Sequence, residues 1–377
     1  MTLAEDIAAL PASFLKRLSD RGFRADRLLA LAKEIGTGRE ARNRLTGVVT
    51  PPRPNDVVDV PSPGTTEYER FRSIGLEALG RGEVALCVLA GGMATRMGGV
   101  VKALVEALPG KRFLDLRLAE QAALERELGA RVPLWLMTSE ATYGPIVEAL
   151  GDRLDGERIA VFEQCVSMRL TPEGALFRED DGDPSVYATG HGDLPDALAQ
   201  SGLLTRFLEH HGGRGTVWIA NLDNLGATVD PVLLGFHLAH RGPLTVEVVD
   251  KVGSDKGGVP VVWNDRRIIA EEFRLPKEVD PATIRVFNTN TFLVDGPSLR
   301  DLDFEFTFVE VEKSVGDRKA VQFERLLGEI SVPLEPAFAR VPRDGVASRF
   351  LPVKDNAELA KRRPEIEAVA QARGFAS

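Results

Sequence analysis

Residues 89–99, Leu-Ala-Gly-Gly-Met-Ala-Thr-Arg-Met-Gly-Gly, follow directly on the apolar run Val84–Leu89. Four glycines in nine positions (Gly91, Gly92, Gly98 and Gly99) let a backbone approach a ligand closely and turn its N–H groups inward. Arg96 adds a planar fork suited to phosphate oxygens. A loop leaving the carboxyl end of a strand stands where open α/β sheets bind ligands. A plain connector has no need of a Thr-Arg pair set between glycines. The loop matches neither G-x-x-x-x-G-K-[ST] nor G-x-G-x-x-G, so it is not a P-loop and gives no support to a nicotinamide site. Lys102, just past the loop, can reach the same phosphates as a point charge.

Further along, Thr189-Gly190-His191-Gly192-Asp193-Leu194-Pro195 reads as a tight turn opening a helix, with Asp193 as N-cap and Pro195 in the first turn. Gly190 and Gly192 clear space around His191, and a second glycine beside a capped start suggests a ligand rather than a structural need. In Trp218–Gly226 a buried strand ends in Asn221, Asp223 and Asn224, alternating around Leu222. Asp223 there either binds Mg²⁺, which prefers carboxylate, water and phosphate oxygens, or closes an Asx turn. Lys256 and Gly258 in Lys-Gly-Gly, and Asn288 and Asn290 in Phe-Asn-Thr-Asn, either meet sugar hydroxyls or satisfy loop backbone. Lys354 ends Arg349–Lys354 and would draw no notice alone.

For these residues to meet, several strand ends must share one edge. Val84–Leu89, Val132–Thr138, Ile159–Phe162 and Thr216–Ala220 are short apolar runs that read as buried strands. Helical patterns alternate with them: Ala141–Leu150, Leu194–His210 and Pro231–Ala239. The alternation predicts an α/β fold with a mixed, mostly parallel central sheet and helices on both faces. After Leu244 the pattern changes. Leu244–Val249, Val259–Trp263 and Arg267–Glu271 read as neighbouring strands, the last two joined by a turn at Asn264-Asp265. Arg285–Val294 reads as a strand, Lys319–Ile330 as a helix, and Asn356–Ala372 as a helix with a break risk at Pro364.

Ahead of the sheet, residues 1–45 read as helices broken at Arg21-Gly22. The segment Val48–Pro63, with Pro51, Pro52, Pro54, Pro61 and Pro63, must be extended. Thr66 and Glu69 have capping-box spacing for a helix to about Leu79. The expected organisation is a helical extension with a Pro-rich linker over 1–80, a catalytic domain over 81–340, and a short segment over 341–377 carrying one lysine of the site and a terminal helix.

The 377 residues are 44% hydrophobic and 27% charged, enough for a large core. A net charge of −9 argues against broad binding to nucleic acid or an anionic membrane surface. Cys87 and Cys165 lie in apolar runs and read as buried free thiols. Met1–Leu10 has no basic stretch followed by an apolar core, and no run reaches the length of a membrane span, so the cytoplasm is the expected location.

Taken in order, LAGGMATRMG, FLDL at Phe113–Leu116, PLWLMTS, FEQ at Phe162–Gln164, GHGDL, DNLGATVDP at Asp223–Pro231, KGG, FNTN and RFLPVK resemble the family of UTP–glucose-1-phosphate uridylyltransferases. These are also called UDP-glucose pyrophosphorylases, and some relatives use N-acetylhexosamine 1-phosphates. The resemblance implies the Rossmann-like fold of nucleotide-diphospho-sugar transferases, UTP and a sugar 1-phosphate as substrates, and Mg²⁺ as cofactor. It implies that the backbone of Leu89, Ala90, Gly91 and Gly92 holds the nucleotide, with Gly91 and Gly92 also near the sugar phosphate. Lys102 would bind nucleotide phosphates, Gln164 the uracil edge, and Gly190 the nucleotide. His191 would meet the sugar phosphate. Asn221 and Asp223 would sit at ribose and phosphates, with Asp223 on the metal. Lys354, Lys102 and Arg96 would supply cationic catalysis, and Lys256, Gly258, Asn288 and Asn290 would face the sugar.

The sequence departs from the family pattern in several places. Val101 replaces a proline before the loop lysine, Leu222 a small polar residue, and Cys165 an asparagine. Ala90 stands where glucose-type members carry asparagine, which is closer to the N-acetylhexosamine type. Glucose 1-phosphate is the expected sugar substrate, with N-acetylhexosamine or galactose 1-phosphate as alternatives and a non-catalytic UDP-sugar binder as the rival of another class. Eukaryotic members continue into a C-terminal β-helical domain. This chain ends at Ser377, so no oligomer built through such a domain is expected, and a monomer is the simplest state.

Overall fold

The structure is a computed structural model and describes residues 2–253 and 255–376. Its centre is an eight-stranded sheet. The strands are β1 (Val57–Asp59), β2 (Val84–Leu89), β3 (Leu134–Thr138), β4 (Ile159–Glu163), β5 (Thr216–Asn221), β6 (Leu244–Asp250), β7 (Val286–Asp295) and β8 (Pro336–Arg340). Their order across the sheet is β1-β8-β6-β7-β5-β2-β3-β4. Only β7 runs antiparallel to its neighbours, β5 and β6. The other strands therefore bring their carboxyl ends to one edge.

The central strands β2, β3 and β5 are buried on both faces, which is why they are continuous apolar runs. Side chains alternate across the pleat. Val84, Leu86 and Val88 of β2, Leu134 and Leu136 of β3, and Trp218 of β5 join one core cluster. Ala85, Cys87, Trp135, Met137, Val217 and Ile219 join the other. The first face is covered by α5 (Thr66–Gly80), α6 (Phe113–Leu128), α7 (Glu140–Leu150), α10 (Pro231–His240) and α12 (Asn356–Ala372). The second is covered by α8 (Leu194–Ser201), α9 (Leu203–His210) and α11 (Gly296–Arg300). Helices α5 and α10 cross at glycines: a Cβ on Gly75 would lie 1.8 Å from the Pro231 carbonyl, and one on Gly235 1.8 Å from that of Phe71.

A third, smaller core joins the N-terminal helices α1 (Leu3–Ala8), α2 (Ala12–Ser19) and α3 (Ala25–Ala32) to Val166, Met168, Leu170 and Phe323. Helix α4 (Arg39–Asn43) leads into the proline-rich stretch. That stretch is extended, as its prolines require: Val49–Thr50 pairs with Val262–Trp263, and β1 adds to the edge of the main sheet.

Four expectations need correction. Leu194–His210 is two helices, because Gly202 adopts φ 68°, which breaks the first before the second begins. Lys319–Ile330 is not a helix. Arg318–Glu324 forms a strand of a hairpin with Val309–Val315, turned at Gly316-Asp317, and a 3₁₀ turn follows over Leu327–Ser331. The alternation of exposed Lys319 with buried Ala320 was outweighed in the sequence by the helical spacing of later apolar residues. Leu244–Asp250 lies in the main sheet, not beside the hairpin Gly258–Trp263/Arg266–Glu271. The cap of α5 is Thr65, whose hydroxyl accepts from the Tyr68 amide, rather than Thr66. The Asn264-Asp265 turn is present, with both residues at positive φ.

The segment after β8 is tied to the sheet by a buried ion pair. Arg349 donates to both Glu247 carboxylate oxygens, at 2.8 and 2.7 Å, and to the Thr228 carbonyl. Burial disfavours the Arg349 charge, but the Glu247 carboxylate outweighs it and raises the guanidinium pKa. Removing one partner leaves the other charged and buried, so Arg349→Ala is expected to lower unfolding free energy by about 3–5 kcal/mol in urea titrations. A loss below about 1 kcal/mol, the range of an exposed pair, would show that the ion pair does not hold this segment.

Candidate active site

The glycine loop leaves β2 at the carboxyl edge. The Ala90 amide donates to the Met137 carbonyl at 2.7 Å, which carries the ladder one residue past the strand. Met93–Ala94 then pairs antiparallel with Val100–Val101, so the loop is itself a small hairpin. Gly98 (φ 91°) and Gly99 (φ 73°) serve its turn. Gly91 serves close approach: a Cβ there would lie 2.9 Å from Gln164 Oε1. Gly92 is open and exposed, and its carbonyl accepts from the Lys102 amide at 3.2 Å. Of the four glycines, then, two belong to the turn and two lie where backbone can face a ligand. Leu89 ends β2 half-buried, and the Ala90 side chain is buried.

Lys102 Nζ donates to Asp223 Oδ2 at 2.7 Å, and the same oxygen accepts from the Val353 amide at 3.1 Å. Gly92, Lys102, Asp223 and the backbone next to Lys354 thus form a continuous string. The turn carrying Asp223 is held from below by Arg117 of α6, which is fully buried. Arg117 donates to the carbonyls of Asn221 and Asn224, each at 2.7 Å, and more weakly to those of Leu222 and Ala227. The Leu222 side chain points into the core, which accounts for its departure from a small polar residue. Asn224 donates to the Arg349 carbonyl at 3.1 Å and accepts from the Leu351 amide at 2.8 Å. Gly226 lets the Arg349-Phe350 backbone pass where a Cβ would stand 2.7 Å away.

The second glycine turn is built differently from its sequence reading. Asp193 makes no side-chain cap. It is buried, accepting from Thr189 Oγ1 at 2.7 Å and from Arg325 Nε at 2.6 Å. Burial works against the Arg325 charge, but Asp193 and Asp196 outweigh it and raise its pKa. The paired glycines have a structural purpose after all. A Cβ on Gly190 would meet the Arg325 carbonyl oxygen at 2.5 Å, and one on Gly192 the Leu326 amide nitrogen at 2.6 Å. The Leu327 amide donates to His191 Nδ1 at 2.8 Å. That bond makes Nδ1 the acceptor, so the neutral ring carries its proton on Nε2. Burial lowers the His191 pKa, which favours this neutral form.

On the other side of Asp223, Asn290 Nδ2 donates to Asn221 Oδ1 at 2.8 Å. Asn290 sits in the left-handed region (φ 59°), and its amide donates to Asn288 Oδ1 at 2.8 Å. Gly258 opens the hairpin beside them: a Cβ there would stand 3.1 Å from Glu271 Oε1 and 3.5 Å from Asn288 Nδ2. Glu271 was not singled out from the sequence. It is half-buried, and among the described residues it makes no ion pair. Burial, with Glu272 adding to it, pushes its carboxyl up to about 7.

The fold therefore gathers Gly91 with Gln164, Gly92 with Lys102 and Asp223, Asn221 with Asn290, and Gly258 with Asn288. Arg96, Lys256 and Lys354 carry exposed side chains, and among the described residues none forms an ion pair. Sequence reasoning missed Glu271, Arg117, Arg325 and the role of Arg349. Among the described residues, no three His, Cys, Asp or Glu side chains gather as a metal cage, and no helix is long and apolar enough to cross a membrane.

Comparison with known proteins matches this architecture. Residues 52–366 match the family described as UTP--glucose-1-phosphate uridylyltransferase. Among curated relatives of that name, the protein of Encephalitozoon cuniculi is 30% identical over 80% of this chain and 60% of its own length. That of Hordeum vulgare is 32% identical over 72% of this chain and 59% of its own. The chain thus spans about 60% of the length of these relatives. Among solved structures, a UDP-glucose phosphorylase from Trypanosoma brucei superposes with a TM-score of 0.71 at 23% identity, covering 93% of this chain and 77% of that one. A Leishmania major UDP-glucose pyrophosphorylase mutant in complex with UDP-glucose gives 0.69 at 21% identity, covering 93% and 79%. At such identities the structures establish the fold alone. With most of its length matched and its sheet intact, the chain belongs to the UTP--glucose-1-phosphate uridylyltransferase family.

Proposed function

We propose that this chain joins UTP to a sugar 1-phosphate, with glucose 1-phosphate preferred, and releases pyrophosphate. The observation that carries the reading is the string Gly92–Lys102–Asp223–Val353, which draws three distant stretches to one strand edge. A phosphate oxygen of the sugar 1-phosphate attacks the α-phosphorus of UTP in line. The new P–O bond forms as the bond to the β-phosphate oxygen breaks, and pyrophosphate leaves with that electron pair. No protein nucleophile is required. The obstacles are repulsion between two phosphates and charge building on the leaving group, which positioning and cations address.

In this reading Leu89–Gly92, Gln164, Gly190 and Asn221 hold the nucleotide. His191 donates from Nε2 to the sugar phosphate without needing a proton from solvent. Lys102, Arg96 and Lys354 stabilise the phosphates, and Lys256, Gly258, Asn288 and Asn290 face the sugar. Glu271 is placed to accept from a sugar hydroxyl. The residues present fit Mg²⁺: Asp223 Oδ2 is engaged by Lys102 and Val353, while Oδ1 has no hydrogen bond among the described residues. Asp223 would hold the ion together with phosphate oxygens and water, where it neutralises phosphate charge.

Lys354→Ala and Asp223→Ala are expected to lower kcat by about 10²–10³, the cost of losing one transition-state electrostatic contact, with folding retained. A variant that turns over like the wild type removes that residue from the mechanism. A panel of glucose, galactose and N-acetylhexosamine 1-phosphates with UTP, scored by pyrophosphate release, should rank glucose 1-phosphate first by kcat/KM. Because Ala90 is of the N-acetylhexosamine type, preference for that substrate is the outcome that would revise the sugar. UTP binding without turnover on any sugar would point to a binding protein instead. If Glu271 accepts from the sugar, the sugar-phosphate KM rises as pH falls through about 7, where the carboxylate gains its proton. In Glu271→Gln the KM is raised at every pH and that step is gone. A step that persists in the variant assigns it to the substrate's own phosphate.

A further inference from the structure

Gln164 reads the uracil edge in the proposed reaction, and the inference below rests on that reading. Its backbone leaves β4 with its amide donating to the Thr138 carbonyl at 2.8 Å, and its side chain lies against Gly91. Past Gln164 the chain departs from the sheet, so the ladder no longer fixes it. One side is held by the second glycine turn, where the Thr189 amide donates to the Cys165 carbonyl at 3.0 Å. The opposite side is held by the N-terminal helices.

We propose that the Arg21-Gly22 turn between α2 and α3 is a positioning element for the nucleotide base, acting through Gln164. Three independent contacts converge there. The Val166 amide donates to the Arg21 carbonyl at 3.1 Å. The Cys165 side chain rests on the bare Cα of Gly22, where a Cβ would stand 2.8 Å from its Sγ and 3.2 Å from its Cβ. The Arg21 guanidinium reaches Glu140 at the start of α7 (3.1 Å) and Glu163 just before Gln164 (3.5 Å). Thus one turn touches residues 163, 165 and 166, on both sides of the base-reading glutamine. Ile7, Leu18, Phe23 and Leu28 pack with Val166 and Met168 in one core, so the turn is carried on a docked unit. Cys165 and Val166 are both buried under it. The cysteine that replaces the family's asparagine is therefore packing against this chain's own glycine.

The test is steady-state kinetics with UTP and glucose 1-phosphate varied separately. Gly22→Ala drives a methyl into Cys165 and is expected to raise KM for UTP about tenfold, leaving kcat and KM for the sugar within about twofold, the pattern of lost ground-state binding. Adding Cys165→Ala removes Sγ, the nearer of the two atoms the methyl strikes, and should bring KM for UTP most of the way back. The left-handed backbone (φ +79°) still strains the alanine, so the double variant stays less thermostable than the wild type even where KM recovers. A merely structural turn would move melting temperature and KM together. Arg21→Ala should raise KM for UTP about threefold, and Arg21→Lys should recover some of that loss. The inference is overturned if Gly22→Ala and Arg21→Ala leave KM for UTP unchanged, or if Cys165→Ala brings no recovery. Gln164→Ala is run beside them. If it raises KM for UTP while the turn variants do not, only the positioning role fails. If it has no effect on UTP, the base-reading assignment fails, and the role of the turn with it.

Discussion

One carboxylate oxygen holds the site in register. Asp223 Oδ2 accepts from Lys102 and from the Val353 amide, so the glycine-loop stretch, the end of β5 and the segment after β8 meet at a single atom. A bond shared in this way is only as good as the rigidity of its three carriers. Arg117 supplies that rigidity beneath the β5 turn, and Asn224 and the Arg349–Glu247 pair supply it for the returning segment. Each of these groups is buried and multiply bonded. A buried ion pair contributes little net stability once desolvation is counted, but its loss is costly, so it enforces one geometry. Rigid placement of charge before substrate arrives is what phosphoryl transfer requires of a protein.

The same edge is assembled by close backbone approach. Gly190 and Gly192 admit the Arg325-Leu326 backbone, Gly226 admits Arg349-Phe350, and Gly91 admits the Gln164 amide. In each case a Cβ would sit under 3 Å from its neighbour, so a methyl would push apart segments that must touch. Glycines that read as ligand clearance are here also seams between chain segments. The two roles coexist only where the glycine amide is not used by the seam itself; the Gly192 amide is used, donating to the Arg325 carbonyl at 3.0 Å.

This dual use explains what was legible in the sequence and what was not. The main strands and the helices on both faces follow from short apolar runs alternating with amphipathic ones, and hydrophobic periodicity records that directly. The Gly-rich loop and the Asn221-Leu222-Asp223 turn stand out because polar residues interrupt a strand end. Lys354 was invisible on its own, since its placement depends on Asn224 and Asp223 holding a segment about 130 residues away. Asp193 was misread because an Asp before a helix is a cap by local rules, whereas its partner, Arg325, lies far along the chain. The Lys319–Ile330 stretch was misread for a similar reason: its strand is fixed by pairing with Val309–Val315, and pairing is not a local property. Glu271 escaped notice because its interest lies in having no ion pair among the described residues, which no sequence pattern reports.

The distribution of charge bears on the highly anionic substrate proposed for the site. With a net charge of −9, the protein as a whole repels a triphosphate. The site must then work by local arrangement, over distances shorter than the roughly 8 Å at which salt screens. Its cations fall into two kinds. Arg117, Arg325 and Arg349 are buried and engaged by carbonyls or carboxylates, so they shape the walls without offering charge. Arg96, Lys256 and Lys354 are exposed, with no ion pair among the described residues, and Lys102 is shared with Asp223. An exposed cation gives up only water when it meets a phosphate. A paired one must first release its carboxylate, and at Asp223 that carboxylate is the group suited to a divalent ion. Asp223 Oδ1, with no hydrogen bond among the described residues, is open to such an ion while the pair is intact, so breaking the Lys102–Asp223 pair would release the cation for phosphate without being needed to expose the carboxylate.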